Sequence, residues 1–377
     1  MAEQHNETTL FRNKTILVIS PESWDHLFVS KHHYSMELAR AGNLVCFLNP
    51  PVSSGRATPD VQPVDGFQNL FVITYKVFFR GMRFLPRFMM RAMERRFVGL
   101  IEKRINKKFD IVWNFENSRF YDLGFAGKNV LKLYHQVDHV QKFHPEIAAK
   151  TADIVLAVNT PILEELKPYN PLSFKIPHAY QGNLSSQAEA VLNNNYVYKK
   201  PVRLKAYYIG NLDFYVIDKA LLEKLVAAFP NIDFILVGPY KTDGETYTRL
   251  HQYKHVTFSG TVPSHRIPDL LADADLLFFV HDPKLISSSH KMLEYLGSGK
   301  LIVSTFLKEY EQHRELLNMA DSREDYIDCF KNALENIEAL NSPGRMKMRI
   351  DFAMEHSYQR QIALIENLLV KNVPGAK

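Results

Sequence analysis

Residues 287–305 read SSSHKMLEYLGSGKLIVST, and this stretch contains the repeating element of the fold. A polar loop leads into a short helical pattern, two glycines end the helix, and an apolar run follows at once. A short apolar run bounded by turn residues predicts a buried strand. The helix carries Lys291 in its first turn and Glu294 one turn later. A cation in the first turn opposes the helix dipole, so an anionic ligand at this helix end would explain the lysine.

The same alternation of apolar runs and helical patterns extends along the whole chain. Strands are predicted at residues 15–20, 44–49, 70–75, 110–115, 129–135, 153–159, 204–210, 233–238, 256–260, 275–281 and 301–305. Continuous apolar runs separated by helices are typical of parallel sheets covered on both faces. We therefore predict an α/β protein with two doubly wound, Rossmann-like domains that face each other across a cleft. A ligand is expected at the carboxyl ends of the strands.

A polar, Asn-rich segment at residues 181–201 interrupts this rhythm and is interpreted as a linker or long loop. We predict a first domain at residues 1–185, a second at 186–343, and a C-terminal segment at 344–377. The tail contains an amphipathic helical pattern whose apolar stripe includes Ile362 and Ile365. Such a stripe must pack against another part of the protein.

Composition restricts the class of protein. The chain has 377 residues, 46% of them hydrophobic and 23% charged, which is typical of a folded globular protein. Its two cysteines lie far apart and predict a reducing compartment rather than a disulfide framework. No apolar run is long enough to span a membrane, and the N-terminus has no apolar signal region. We expect a cytoplasmic protein.

Positive charge is concentrated in one segment. Residues 76–108 carry a net charge of +9, so the rest of the chain carries −4 although the total is +5. Met89, Met93, Phe97, Ile101 and Ile105 recur every four residues in this segment and predict a helix. One interpretation is a crossover helix with a solvated basic flank. The other is contact with an anionic membrane surface, and both can hold together. No nucleic-acid partner is expected, because the segment has no recognisable module.

The helix that follows the predicted strand 275–281 should point its N-terminus at the ligand. Free backbone N–H groups there favour a pyrophosphate, and Ser288, Ser289 and Lys291 would add hydroxyls and a charge. Glu294 could accept two hydrogen bonds from a ribose diol, as acidic residues do in dinucleotide folds. The alternative for Glu294 is an ordinary solvent-facing helix residue.

The stretch KMLEYLGSGKLIVST resembles a signature of GT-B glycosyltransferases, particularly bacterial family 4-like and family 1-like enzymes. Further segments are similar in the same order: YYIGNLDFYVIDKALLEKLVAAFPNIDFILVGP, VTFSGTVPSHRIPDLLADADLLFFV, KTADIVLAVNTPILEEL and MEHSYQRQI. The resemblance implies that the last of these begins a helix that packs back on the first domain. It implies a nucleotide-sugar donor, UDP- or GDP-linked, as co-substrate, with no other cofactor and no metal.

The resemblance also implies roles for residues of the second domain. Glu294 would bind the donor ribose, and Lys291 and the serines would face the diphosphate. Gly210 and Asn211 would let the chain approach the donor, while Gly260, Thr261 and Val262 would border the base. The sequence departs from the family at Ile286, where family 4 enzymes have a first glutamate that contacts the transferred sugar. Asp218 is interpreted as a helix N-cap.

Residues of the first domain are candidates for catalysis and acceptor binding. His135 occupies the place of a family histidine that touches the donor sugar, although a histidine at a strand end can also be structural. Asp138 follows on the same loop. His26 is a candidate base for the acceptor hydroxyl. Trp24 and Asp25 are candidate acceptor-binding residues, with a buried anchor as the alternative for Trp24.

The predicted function is transfer of a hexose to a glycan or lipid-linked acceptor in bacterial cell-surface polysaccharide synthesis, with retention. The enzyme would work in the cytoplasm, where its basic, aromatic segment would hold it on the inner membrane face. Two alternatives keep the fold: a nucleotide-sugar epimerase, and a non-catalytic binding protein. A nicotinamide dehydrogenase is disfavoured, because no G-x-G-x-x-G follows a predicted strand.

Overall fold

The computed structural model describes residues 10–25, 28–54, 58–77, 85–137, 143–213, 216–241, 244–263, 266–282 and 290–373. The chain divides into two compact units. The first comprises Met1–His178 and Tyr358–Lys377, and the second comprises Ala179–Ser357.

The first unit is built on a sheet of eight strands. The strands are β1 (Thr15–Ile19), β2 (Leu44–Leu48), β3 (Asp60–Pro63), β4 (Leu70–Thr74), β5 (Ile111–Asn114), β6 (Leu131–Gln136), β7 (Ile154–Ala157) and β8 (Ser173–Lys175). Their order is β3-β4-β2-β1-β5-β6-β7-β8. All neighbours are parallel except the edge strand β3, which is antiparallel to β4. The order reverses between β1 and β5, as expected for a doubly wound sheet.

The described residues of the first unit form five α-helices: α1 (Ser30–Arg40), α2 (Arg87–Ile105), α3 (Pro145–Thr151), α4 (Thr160–Leu166) and α13 (Tyr358–Asn372). The C-terminal helix α13 packs against α1. The buried stripe of α13 includes Ile362, Ile365 and Leu369, and Glu366 accepts a hydrogen bond from the Phe11 N–H at 3.1 Å. The amphipathic pattern of α13 therefore covers part of the first unit.

The second unit contains a parallel sheet of six strands. The strands are β9 (Lys205–Ile209), β10 (Asp233–Val237), β11 (Val256–Gly260), β12 (Leu276–Phe279), β13 (Leu301–Ser304) and β14 (Asn318–Met319). Their order is β11-β10-β9-β12-β13-β14, which reverses between β9 and β12. The prediction of two doubly wound, Rossmann-like domains is confirmed.

The helices of the second unit are α5 (Ser186–Leu192), α6 (Lys219–Ala228), α7 (Glu245–Leu250), α8 (Ile267–Asp273), α9 (His290–Gly297), α10 (Tyr326–Glu335), α11 (Ile337–Leu340) and α12 (Pro343–Glu355). All eleven predicted strands are present. The strands that were not predicted are the short edge strands β3, β8 and β14, which have too few residues to show a pattern.

The boundaries of the two units differ from the predicted domain boundaries in two places. The division falls at His178, and the segment interpreted as a linker contains α5. The Ser185 hydroxyl caps α5 by accepting from the Ala188 N–H at 3.1 Å, and the helix buries Ala188 and Val191. The tail is two helices: α12 packs on α5 and α9 of the second unit, whereas α13 belongs to the first.

Candidate functional site

The carboxyl ends of β9 and β10 meet in a backbone contact that requires glycine. The Gly210 N–H donates to the Val237 carbonyl at 2.8 Å. Gly238 follows β10 with φ +138°, and a Cβ there would overlap the carbonyl oxygen of Gly210. Only glycine fits so close to another backbone. Gly238 was not among the predicted site residues, although the VGP that ends the predicted strand was an available signal.

The same edge extends to β11. The Gly238 N–H donates to the Gly260 carbonyl at 2.8 Å. Gly260 has φ +65°, and a Cβ at this position would have no neighbour within 4 Å among the described residues. Thr261 is exposed and Val262 is half-buried. Gly210, Gly238 and Gly260 therefore line one sheet edge. Neighbouring protein atoms fill the space beside Gly210 and Gly238, whereas the described part of the chain leaves the space beside Gly260 open to a ligand.

Helix α9 is fixed beside this edge by its apolar face and by one hydroxyl. Met292 and Leu296 are fully buried. The Tyr295 hydroxyl accepts a hydrogen bond from the Ile209 N–H at 2.7 Å. The helix is thereby joined to the last residue of β9, directly before Gly210.

Lys291 lies against Gly210. A Cβ on Gly210 would be 3.2 Å from the Cε of Lys291, so the lysine side chain runs past the end of β9. Burial lowers the pKa of Lys291, and the carboxylate of Glu294 partly offsets this effect. Burial raises the pKa of Glu294, and Lys291 partly offsets that. The structure therefore brings together Gly210, Lys291 and Glu294, which the sequence analysis assigned to one ligand.

His281 follows β12 at the same edge. Its N–H donates to the Thr305 hydroxyl at 3.2 Å, and its ring centroid lies 3.7 Å from that of Phe279. Burial lowers the pKa of His281 to about 3, with a further contribution from Lys291. The imidazole is therefore neutral near pH 7. It was not among the predicted site residues, although it ends the predicted strand 275–281.

The remaining predictions for the second unit have mixed outcomes. Asn211 is exposed, and its side-chain oxygen accepts from the Asp213 N–H at 2.9 Å in a local turn. The N-cap interpretation of Asp218 is confirmed by a hydrogen bond from the Leu221 N–H at 2.9 Å. Arg323 also binds the Asp218 carboxylate. Ser288, Ser289 and Ile286 lie outside the described residues.

In the first unit, Trp24 belongs to an aromatic cluster after β1. Its ring centroid lies 5.0 Å from Phe47 and 5.4 Å from His32. The Trp24 N–H donates to the Asn49 side chain at 2.8 Å. Asp25 is exposed. This packing supports the anchor interpretation of Trp24, and acceptor binding by Trp24 and Asp25 stays a prediction. His26 lies outside the described residues.

His135 is enclosed at the end of β6, where it is 1% exposed. Its ring stacks on Phe115 at 5.0 Å and lies 5.6 Å from Tyr34. Neither ring nitrogen has a hydrogen-bond partner among the described residues. Burial lowers the pKa of His135 to about 3, and His178 and Lys31 add to this effect. The packing supports the structural alternative, and the catalytic role stays a prediction. Asp138 lies outside the described residues.

The basic helix α2 has two kinds of arginine. Arg87 pairs with Asp122 at 3.0 Å, and Arg95 donates to the Phe125 carbonyl at 3.0 Å. These arginines hold the turn after β5. The side chains of Arg96, Lys103 and Lys107 are exposed, and these side chains make no hydrogen bond or ion pair within the described part of the chain.

The apolar side of α2 also differs from the predicted stripe. The buried positions are Met90, Glu94, Phe97, Val98 and Ile101, whereas Met89 is 41% exposed. An α-helix has 3.6 residues per turn, so residues spaced strictly four apart lie progressively further around the helix. The predicted stripe therefore leaves the buried face. Phe88, which is 65% exposed, joins Met89 as an apolar pair at the start of the helix.

This arrangement of two doubly wound units is the GT-B fold, and solved structures with that fold match nearly the full chain. The Anabaena protein HepE in complex with UDP and glucose is 14% identical, with a TM-score of 0.59 over 95% of this chain and 100% of that one. Sucrose-phosphate synthase from Thermosynechococcus elongatus is 15% identical, with a TM-score of 0.61 over 95% and 98%. WaaG, a glycosyltransferase involved in lipopolysaccharide biosynthesis, is 15% identical, with a TM-score of 0.59 over 96% and 100%. The sequence matches no protein-family model and no curated protein.

Proposed function

We propose that this chain is a glycosyltransferase that moves a sugar from a nucleotide-sugar donor to a glycan or lipid-linked acceptor. The observation that carries the proposal is the glycine edge of the second sheet, where Lys291 lies against Gly210 and Glu294 follows one turn along α9. The GT-B neighbours add support, since HepE is solved with UDP-glucose and WaaG is a glycosyltransferase. Bacterial cell-surface polysaccharide synthesis is the proposed setting.

The second unit is the proposed donor site, and each residue has a physical task there. Gly260 leaves open space for the nucleotide at the sheet edge, and Gly210 and Gly238 let the strand ends and Lys291 pack closely beside it. Lys291 supplies positive charge for the diphosphate at the N-terminal turn of α9, whose dipole acts in the same direction. Glu294 binds the ribose diol. The first unit is the proposed acceptor site.

In the proposed reaction the bond between the anomeric carbon and the diphosphate oxygen breaks and a bond from that carbon to the acceptor oxygen forms. The nucleoside diphosphate leaves, and the proton of the acceptor hydroxyl is released. Negative charge develops on the leaving phosphate, and preorganised positive charge stabilises it. We propose that Lys291 and the amide groups of α9 fill this role without a metal ion, and that the anomeric configuration is retained. The donor nucleotide is UDP or GDP.

Binding and transfer are tested in sequence. Thermal shifts and calorimetry are measured with UDP-, GDP-, ADP- and dTDP-sugars, and sugar transfer is then measured with lipid-linked glycans. The expected result is stabilisation by UDP- or GDP-sugars, reduced in Glu294→Ala and kept in Glu335→Ala, a change of an exposed helix glutamate in the same unit. Stabilisation by none of the donors would overturn the proposal. Donor turnover without an acceptor would indicate an epimerase instead.

Attachment to a membrane surface is a separate part of the proposal. No helix among the described residues is long and apolar enough to cross a membrane. The exposed Phe88 and Met89 stand at the start of α2, and the unpaired Arg96, Lys103 and Lys107 lie further along it. Apolar wedges beside basic residues suit an anionic lipid surface.

Co-sedimentation with phosphatidylglycerol vesicles tests this attachment. Replacing Arg96, Lys103 and Lys107 by Ser is expected to weaken vesicle binding by about tenfold or more, since each basic residue near the surface contributes about 1 kcal/mol. The matched control replaces the exposed Lys224, Lys254 and Lys331 of the second unit. Equal loss in both triple variants would reject α2 as the contact surface.

A further inference from the structure

Tyr180 packs directly on the helix that carries the proposed ribose-binding acid. A Cβ on Gly297 would overlap Cζ of Tyr180 and would lie 2.6 Å from its hydroxyl and 2.7 Å from Cε2. Tyr180 is 4% exposed. The hollow left by Gly297 is therefore filled by the tyrosine ring, and no larger residue fits at position 297 while the ring stays in place.

Tyr180 covers the side of α9 on which Glu294 lies. Residues three apart on a helix are neighbours on its surface, so Glu294 and Gly297 share one side. Glu294 adds to the effect of burial in raising the pKa of Tyr180, which places the carboxylate near the phenol. The acid thus has the tyrosine on one side and Lys291 towards the other end of the helix.

Tyr180 is itself held in place at its hydroxyl and at its backbone. Its hydroxyl donates to the Asn183 carbonyl at 2.9 Å. Its N–H donates to the His356 carbonyl at 3.0 Å, and it forms a parallel bridge with Ser357. A side chain fixed by its own backbone and hydroxyl can impose a position on its neighbour.

We propose that Tyr180 is a positioning residue that sets the rotamer of Glu294 for the ribose diol, and that Gly297 exists to admit its ring. This inference rests on the proposed donor site and extends it. The sequence alone does not reveal the link, because Tyr180 stands 114 positions before Glu294. Tyr180 takes no part in bond making. Its effect is on selectivity for a nucleotide with both ribose hydroxyls.

The test measures ribose selectivity by calorimetry in the full-length protein. The probes are UDP and 2′,3′-dideoxyuridine 5′-diphosphate, or the guanosine pair if the wild type binds GDP. The wild type is expected to prefer the ribonucleotide by about tenfold or more, as a hydrogen-bonded carboxylate implies. Tyr180→Ala should reduce the preference below about threefold, as should Glu294→Ala. Tyr180→Phe keeps the ring and should keep most of the preference.

Gly297→Ala provides an independent variant. It should displace the ring and lower the preference as Tyr180→Ala does. The double variant Tyr180→Ala/Gly297→Ala should match Tyr180→Ala alone, because the added methyl acts through the ring. Tyr253→Ala, a change of a half-buried tyrosine in the same unit, should leave the preference unchanged even if stability falls.

The outcomes separate the two proposals. A wild type that binds neither UDP nor GDP overturns the donor site itself. A wild type with a ribose preference that Tyr180→Ala retains, in a folded variant, overturns only the positioning role. A preference retained in Glu294→Ala would show that Glu294 does not bind the ribose, and the positioning role would be rejected with it.

Discussion

Lys291 of α9 lies against Gly210 at the end of β9: a Cβ on the glycine would be 3.2 Å from Cε of the lysine. The lysine comes 81 positions later in the chain, and the parallel sheet brings the two together. Because burial lowers the pKa of this lysine, the site has a poorly solvated cation beside bare backbone. The carboxylate of Glu294 offsets part of this effect, and an anionic ligand would add a second opposite charge.

Replacing Lys291 should weaken diphosphate binding specifically. In Lys291→Met, affinity for UDP is expected to fall by ~10–100-fold, the usual range for loss of a charge-assisted hydrogen bond, while affinity for uridine should change little. Calorimetry with both ligands measures the difference. Lys331→Met, a change of an exposed lysine on α10, is the control. Equal weakening of UDP and uridine would mean that Lys291 does not bind the phosphates.

Two glycines of the same edge should respond differently to alanine. Gly238→Ala places a Cβ on the Gly210 carbonyl and should lower the free energy of unfolding of the second unit by about 3 kcal/mol or more. Gly260→Ala meets no atom within 4 Å among the described residues, so only its φ of +65° opposes the change. Its expected cost is about 1–2 kcal/mol. Denaturant unfolding compares the two, and similar costs would contradict the proposed backbone contact.

The buried His135 should make stability depend on pH in the acid range. Its folded pKa of about 3 lies below the ordinary value of 6.5, so between these pH values the unfolded chain binds a proton that the folded chain excludes. Stability should therefore fall as pH drops below 6.5, by about 1.4 kcal/mol per pH unit for this group. His135→Phe should remove the contribution of one bound proton from this dependence of stability on pH. His313→Gln, at a partly exposed histidine, serves as the control, and an unchanged slope in His135→Phe would contradict the burial argument.

The buried Glu94 should make the first unit less stable as the pH rises, the opposite of the effect of His135. The buried carboxyl accepts from the Phe120 N–H at 2.8 Å, and burial raises its pKa to about 8 from an ordinary 4.5. The folded state therefore holds a proton that the unfolded state has lost between pH 4.5 and 8, and stability contributed by this group falls as pH rises through that range. Glu94→Gln keeps an acceptor for Phe120 and removes the titration.

The expected result is that Glu94→Gln is more stable than wild type at pH 8, and that the difference shrinks towards pH 5. Urea unfolding of the first unit, followed by the fluorescence of its buried Trp113, measures it. Glu102→Gln, on the same helix but only partly buried, is the comparison. A constant difference between pH 5 and 8 would show that Glu94 is ionised in the folded state.

The strands could be predicted from the sequence because buried parallel strands consist of continuous apolar runs. DIVWNF and DLLFFVH correspond to β5 and β12, and each borders the point where its sheet order reverses. The helix α5 was missed because its polar, Asn-rich surroundings conceal a short apolar face that packs against α12 and α8. The apolar stripe of α2 was misplaced because its predicted residues recur every four positions, whereas a helix has 3.6 residues per turn.

The local chemistry of α9 was set by the sequence alone: a lysine in the first turn, a glutamate one turn later and a glycine at the end. What those residues face was decided by the tertiary structure, since Gly210, Gly238 and Tyr180 reach α9 and its sheet edge only through folding. Sequence patterns report the periodic burial of each element against its surroundings. They do not show which distant residue fills the space beside a glycine such as Gly297, because that depends on how the elements pack together.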